Sequence, residues 1–478
     1  IGIATASPLA RNRNSEDLDA WHGDCFFTDK QSGKCIVSDS RLDYRQELAG
    51  KLGIRLNAAD DLSDGELILL AHSKWGKGCL SHLYGDFSFV IWDPPRDEVF
   101  CARDHFGCRP FYYLDQPGFL AVASQIAAFK GIPDFRYEIK EQYILDALCT
   151  IVSSDSNSPY KGISRLKPAH HLTFTQGQSS GQFRYWDLKM KQEYQALTLD
   201  EATRGLKDRF IEAVRQRSHS AGPLGVELSG GLDSSGLASV LTMLTNEKVK
   251  INAFTHSVAS EGPFRSKSEM EFSSALIEKY NSIHHSEITE ENARGGFRSL
   301  EEALSRIYKP INLHYAMNSD LLFEMAGHMG TTVMYSGFGG DEGISNQGNG
   351  YWNELIRNGQ HAKLRKELKS MAYSHGGRFH KHLIKSYVNY HVPWVFIPFR
   401  KDWRRDMDRF FAIEKRLARK YRMRRRFFRT NTPPAKPDIR AMQYFRLMYP
   451  NIPERVEETA LMAQEHGLEY RYPFLDVK

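Results

Sequence analysis

The chain has 478 residues, 41% of them hydrophobic, and a formal net charge of +6. That length is too great for one core and predicts two domains of ordinary globular composition. No apolar run approaches the ~20 residues of a membrane span, Ile1 to Arg13 lacks the apolar centre of a signal peptide, and the six cysteines contain no C-x-x-C pair, which argues against structural zinc and for a reduced, cytoplasmic setting.

Residues 1–190 read as β-rich. Gly85–Trp92 alternates and then runs apolar, as a strand between two layers does. Val99–Ala102, Pro110–Tyr113, Phe119–Ser124, His171–Thr175 and Gln182–Trp186 follow as strands, with turns at Arg103–Gly107 and Gly177. The pattern turns polar at Leu188–Ala196, the predicted linker. From about 200 the period changes. Ala202–Arg217 reads as an amphipathic helix, and strands at 224–228, 251–256 and 332–336 alternate with helices. This is the signature of a parallel sheet covered on both faces, whose ligands bind at the carboxyl ends of the strands.

The most informative stretch is Leu224–Ser235, Leu-Gly-Val-Glu-Leu-Ser-Gly-Gly-Leu-Asp-Ser-Ser. An apolar strand, a Ser229-Gly230-Gly231 turn and a helix start predict a phosphate cradle, because unpaired N–H groups and the positive helix end face an anion there. Ser229, Ser234 and Ser235 add hydroxyl donors. Asp233 would repel phosphate unless a cation lay between them, and Mg²⁺ held by one carboxylate and phosphate oxygens resolves the conflict.

The run resembles the pyrophosphate loop of ATP pyrophosphatases, which cleave ATP between the α and β phosphates and adenylate a substrate; no G-x-x-x-x-G-K-[ST] is present. Two further motifs sharpen the resemblance. Tyr335-Ser-Gly-Phe-Gly-Gly-Asp-Glu342 resembles the second nucleotide loop of asparagine synthetase-like enzymes, and Glu465–Asp476 resembles their HG-x-E-x-R-x-PFLD segment. Tyr84–Asp93, Arg103–Tyr113, Ser164–His170 and Arg184–Asp187 are similar to their glutaminase-like domain. The resemblance implies an α/β protein: an N-terminal glutaminase-like (Ntn-type) β-sandwich over 1–190, then a doubly wound parallel-sheet PP-loop synthetase domain over 191–478. Glutamine-using relatives need an N-terminal cysteine. This sequence opens Ile1-Gly-Ile-Ala with Cys25 further in, and the family's Arg-Gly-Pro-Asp and Asn-Gly-Glu stretches are absent, Ser40–Glu47 standing near the latter. A domain without the catalytic cysteine, kept as scaffold, is the expectation.

Relatives without glutaminase activity include β-lactam synthetases and lasso peptide cyclases. The short N-terminal domain and Ser-Gly-Phe-Gly-Gly-Asp-Glu look more like the cyclases, and Phe338 stands where the β-lactam pattern has a proton-abstracting tyrosine. The implied reaction is ATP-dependent macrolactam formation: an Asp or Glu side chain of a precursor (core) peptide is adenylated and attacked by the peptide's N-terminal amine. A leader peptidase and a leader-binding protein would accompany it, with neither nucleic acid nor membrane as partner. The alternatives are a β-lactam synthetase, an ammonia-dependent asparagine synthetase-like ligase, or a tRNA-modifying ATP pyrophosphatase.

On this resemblance, Ser229, Gly230, Gly231, Ser234 and Ser235 hold the departing pyrophosphate, and Asp233 and Asp341 bind Mg²⁺. Gly337, Phe338, Gly339 and Gly340 form the second loop. Leu228, Phe254 and Thr255 border the adenine or are plain core strand. Glu342 and Glu367 are the candidates for handling the amine's proton, although Glu342 equally fits a loop-orienting role. Arg103, Asp104 and Arg109 fit turn-fixing roles. Residues 400–430 carry 14 Arg/Lys against 4 Asp/Glu. That run reads as a solvated helical face with Phe410, Phe411, Ile413 and Leu417 inward, or as a peptide clamp, or as an RNA surface.

Overall fold

The structure is a computed structural model; it describes residues 26–55, 62–152, 157–189, 196–218, 222–246, 248–256, 267–288, 307–310, 313–375, 378–391, 413–431 and 433–478, with single positions besides. Cys25, Phe410 and Phe411 lie outside them.

The alternation of the N-terminal region produces two antiparallel sheets. The strands in chain order are β1 (Phe26–Thr28), β2 (Cys35–Asp43), β3 (Tyr84–Asp93), β4 (Glu98–Arg103), β5 (Tyr112–Gln116), β6 (Phe119–Ala123), β7 (Ile163–Arg165), β8 (His170–Thr175) and β9 (Gln178–Arg184). One sheet has the order β1-β2-β3-β4-β8-β9, the other β6-β5-β7. Neighbouring residues of one strand serve opposite layers, as the pleat requires. Phe87, Phe89, Ile91 and Phe100 pack with Leu67, Ile68 and Ala71 of the helix Asp64–Trp75. Cys101 and Val90 pack the other way, against Phe111, Tyr113 and Leu166. The turn after β4 is built on Asp104, whose carboxylate accepts from the N–H groups of Phe106, Gly107, Cys108 and Arg109. Gly107 sits there at φ +76°, where a Cβ would lie 2.9 Å from the Pro168 ring.

The helix Leu199–Gln216 begins at a Thr198–Glu201 capping box. Beyond it, β10 (Leu224–Glu227), β11 (Ile251–His256), β12 (Ile283–Ile288), β13 (Val333–Tyr335) and β14 (Glu469–Arg471) form a parallel sheet in the order β12-β11-β10-β13-β14. Leu224, Val226, Ile251, Ala253 and Tyr335 face Val214, Leu237 and Leu241 of the helices on one side. On the other side, Phe323 of the helix Leu313–His328 meets Tyr470 at 5.3 Å between ring centroids. The sheet is therefore doubly wound, and its winding reverses between β10 and β13.

By compactness the chain forms two units. The first takes Ile1–Lys140, Asp155–Phe338 and Pro453–Lys478, and so holds both the sandwich and the parallel sheet. Buried ion pairs join them. Across the seam, Arg41 and Arg109 reach Glu469 at 3.3 and 3.1 Å, and Arg217 reaches Asp43 at 2.8 Å; within their own halves Arg41 is held by Asp86 at 2.6 Å, Arg109 lies 3.4 Å from the partly exposed Asp39, and Arg217 holds Asp476. Nearby, Glu457, with no exposed side-chain surface, receives Arg103 at 2.7 Å, Lys309 at 3.0 Å, Arg165 at 3.6 Å and the Tyr112 hydroxyl. Burial alone would raise the Glu457 carboxyl, but Lys309, Arg165 and Arg103 outweigh it and hold it far below the ordinary range. Arg103 and Arg109 thus do more than fix a turn: they bind the parallel-sheet half.

The second unit, Glu141–Ser154 and Gly339–Ile452, is helical among its described residues. Leu355, Ile356, Leu364 and Leu368 form one core, and Leu145, Cys149, Ile413, Met423 and Phe427, with Leu417 against them, form another. The basic run therefore turns Ile413 and Leu417 inward, while Arg416, Arg419, Arg424, Arg425 and Arg429 are exposed. No helix of the described residues is long and apolar enough to cross a membrane.

Candidate active site

The first loop follows directly from β10. Gly230 adopts φ +84°, a conformation that only glycine takes without strain. Gly231 then caps the helix Leu232–Thr245, and no described side chain makes a capping hydrogen bond at that helix start. The hydroxyls of Ser229 and Ser234 clasp the turn: their oxygens lie 2.9 Å apart, Ser229 N–H donates to Ser234 Oγ at 3.2 Å, and Gly231 N–H donates to Ser229 Oγ at 3.3 Å. Ser234 is thus engaged within the loop, whereas Ser235 Oγ is buried and has no hydrogen-bond partner among the described residues. Asp233, in the first turn, is partly exposed.

Leu228 and Phe254 are each 1% exposed, and Thr255 Oγ1 donates to the Leu228 carbonyl at 2.6 Å. Their side chains are core and strand-end bracing. His285 Nε2 lies 3.0 Å from Thr255 Oγ1.

The second loop approaches the first closely. A Cβ on Gly337 would stand 3.1 Å from Ser234 N and 3.4 Å from Asp233 Cβ. That is tighter than an ordinary Cβ contact, so a side chain here would push the two loops apart by a few tenths of an ångström. Phe338 carries the Arg455 guanidinium 5.4 Å above its ring and meets the Tyr472 ring at 6.2 Å. This crevice between β10 and β13 is the place where a doubly wound sheet accepts ligands.

The remaining expected residues open the second unit. Gly339, at φ +99°, donates its N–H to the Glu342 carboxylate at 3.2 Å. Gly340 accepts from Ser345 N–H at 3.0 Å. Asp341 is exposed; its Oδ1 accepts from Ser345 Oγ at 3.1 Å, and its carbonyl from Arg446 at 3.0 Å. Glu342 thus braces its own loop. Glu367 lies partly buried in the helix His361–His375, between the core residues Leu364 and Leu368.

Among the described residues no three His, Cys, Asp or Glu side chains form a metal-holding group. Mg²⁺ keeps waters and phosphate oxygens and takes few protein carboxylates, so a single partly exposed carboxylate such as Asp233 beside a phosphate-sized helix start is compatible with it.

Sequence reasoning missed Glu227. This carboxylate ends β10, and it accepts from Tyr470 OH at 3.0 Å and from Ser336 Oγ. The available signal was a charged residue inside an otherwise apolar strand, directly before the glycine turn. Arg455 was missed as well, because nothing local links it to Phe338.

Residues 205–478 match the asparagine synthase family, and residues 28–186 match the glutamine amidotransferase domain. The chain is 30% identical to Amidase chry2 of Gibberella zeae over 47% of this chain and 33% of that one. It is 26% identical to asparagine synthetase [glutamine-hydrolyzing] 3 of Bacillus subtilis over 52% and 42%. It is 28% identical to putative asparagine synthetase [glutamine-hydrolyzing] 2 of Methanocaldococcus jannaschii over 62% and 56%. The matched part therefore spans about a third to just over half the length of these relatives.

Proposed function

Because the chain belongs to the asparagine synthase family, we propose that it is an ATP-dependent, AMP-forming amide ligase, and that its substrate is a peptide whose own amine closes a macrolactam. The observation that carries the ligase reading is the pairing of the uncapped helix start at Gly231 with the close approach of Gly337 to Asp233 and Ser234.

A carboxylate acylates poorly at neutral pH, and adenylation supplies AMP as leaving group. ATP is the co-substrate. The N–H groups at the Leu232–Thr245 helix start would receive its departing pyrophosphate, together with Ser235 Oγ and the exposed Ser229. Asp233 and Asp341 are assigned as Mg²⁺ ligands; the ion would offset phosphate charge as it develops. The enzyme's own contribution is positioning and charge neutralisation. The attacking amine has an ordinary pKa near ~8, so modest assistance is enough.

Phe338 favours the peptide reading over the β-lactam one. Its ring has no proton to exchange, and it is occupied in packing under Arg455 and against Tyr472. The sandwich half is proposed to be a structural scaffold. Ser40–Glu47, which stands near the expected glutamine-binding stretch, carries Arg41 and Asp43 to the parallel-sheet half. The relatives named as amidases and asparagine synthetases support a second reading, amide formation on a small molecule.

Pyrophosphate release separates the two. Stimulation by a precursor peptide, with loss of one water from its mass, supports the macrolactam; stimulation by aspartate or a β-amino acid but not by peptide replaces it with the second reading. Release with none of these, in the presence of MgATP, would remove both.

A further inference from the structure

We propose that Glu227 is a positioning residue whose carboxylate latches the second loop and β14 to the end of β10, setting the spacing of the two loops around the nucleotide. The proposal rests on the nucleotide reading of this crevice.

Leu224 and Val226 of β10 are buried and apolar, and Gly225 packs against Met334. Glu227 breaks this pattern at the carboxyl end, where it is only partly buried. Among the described residues no cation pairs with it. Instead, Oε1 accepts from Tyr470 OH at 3.0 Å and Oε2 from Ser336 Oγ. Ser336 Oγ in turn accepts from Phe338 N–H at 3.3 Å. A hydroxyl has one proton to give and lone pairs to receive, so Ser336 spends its donor on Glu227 and offers its acceptor to the loop. The Ser336 N–H donates to the Arg471 carbonyl at 3.2 Å. One carboxylate thereby connects the carboxyl ends of β10, β13 and β14.

The geometry gives the latch a consequence at the site. Gly337 lies between Ser336 and Phe338, inside the turn that Ser336 Oγ closes, and it is the residue that approaches Asp233 and Ser234. If Ser336 is released, Gly337 loses its fixed distance from the first loop. Small displacements of positioning groups have large effects on a site of this kind. A carboxylate serves better than an amide here, because it can accept from both hydroxyls at once through charge-assisted bonds.

The test compares MgATP binding by titration calorimetry for the full chain, E227A, E227Q, S336A and the E227A/S336A double variant, with thermal midpoints measured without nucleotide. The latch predicts affinity losses on the order of 10- to 100-fold for E227A, as for other groups that orient site residues from behind. S336A should lose a similar factor, the double variant should be no worse than E227A, and E227Q, which keeps one acceptor, should recover part of the loss. Midpoints should stay close together. If E227A does not fold, E227Q against S336A gives the same comparison. Affinities of E227A and E227Q equal to the unaltered chain's, or losses that simply add in the double variant, overturn the latch and leave the nucleotide reading standing. No MgATP binding by the unaltered chain overturns both.

Discussion

At Glu457, three cations and a phenol close around one carboxylate with no exposed side-chain surface. At Asp233, a carboxylate stands partly exposed at a helix start that no side chain caps. Both places concentrate charge, but the first is sealed from solvent and the second is not. Fully paired buried charge marks a seam that holds two halves together, while partly exposed charge beside a glycine turn at a strand end marks a place for chemistry. The contrast assigns Arg103, Arg165 and Lys309 to architecture although they are the more eye-catching cluster.

The contrast can be broken most directly at Asp233. Asp233→Ala should lower pyrophosphate release by roughly a thousandfold, since a metal ligand is worth several kcal/mol to the transition state. It should change stability by less than ~1 kcal/mol, the scale of an acidic residue in a first helical turn. Normal release would refute the metal assignment; a large fall in the unfolding midpoint would place Asp233 with the seam instead.

Glu457→Ala should do the reverse. Removing one partner of a buried ion cluster leaves Arg103, Arg165 and Lys309 without their carboxylate and should cost about 3–5 kcal/mol in denaturant unfolding. A loss under 1 kcal/mol would show that the seam is not holding the halves together.

Acid sharpens the same distinction. His105, ringed by Phe87, Tyr185 and Trp186, is pushed down to about 4 by burial. Its folded-state pKa lies below the unfolded value of about 6.5, so the unfolded chain takes up the extra proton as pH falls. Stability from this group is full above pH 6.5 and is lost between about 6.5 and 4, by up to ~3 kcal/mol. His105→Phe should therefore flatten the stability profile over that window relative to the unaltered chain. Asp86 adds a lower step. Burial raises it, but Arg41, Arg217 and Arg109 prevail and hold it at about 2, so its contribution persists above pH 4 and fades from 4 toward 2.

Smaller effects should follow at single positions. Gly230→Ala forces a side chain into φ +84° and should cost about 1–2 kcal/mol, with weakened MgATP binding. Arg424→Ala or Arg425→Ala, on the exposed basic face, should alter stability by no more than ~0.5 kcal/mol. A larger change there would mean that this face is a packed surface.

Much of this arrangement was legible in the sequence, for local reasons. The strand, turn and helix at Leu224–Ser235 are adjacent in the chain, and each element carries its own signal: apolar run, glycines, helical period. The strands at 251–256 and 332–336 were readable for the same reason. β12 and β14 were not anticipated. Ile283–Ile288 holds two histidines and a glutamate, and Glu469–Arg471 reads as charged. The polarity of β14 makes sense only when Arg41 and Arg109 arrive from the other sheet to meet Glu469. Glu457 was invisible for the same cause, since its partners Arg103 and Lys309 come from distant parts of the chain. Among the expected site residues, Leu228 and Phe254 turned out to be core side chains, and Glu342 to brace its own loop, because a sequence pattern places backbone near a site without saying which way each side chain is spent.

The seam also has an order of assembly. Arg41 and Arg109 precede Glu469, which both of them hold, by hundreds of residues, so they are made well before it. Until then the sandwich carries cations whose final acceptor does not yet exist, and β13 lacks its outer neighbour β14. β14 is thus a closing stitch: it extends the sheet beyond β13 and completes the pairing of the two halves in one event, so chains made only as far as β13 can neither finish the crevice nor lock the scaffold.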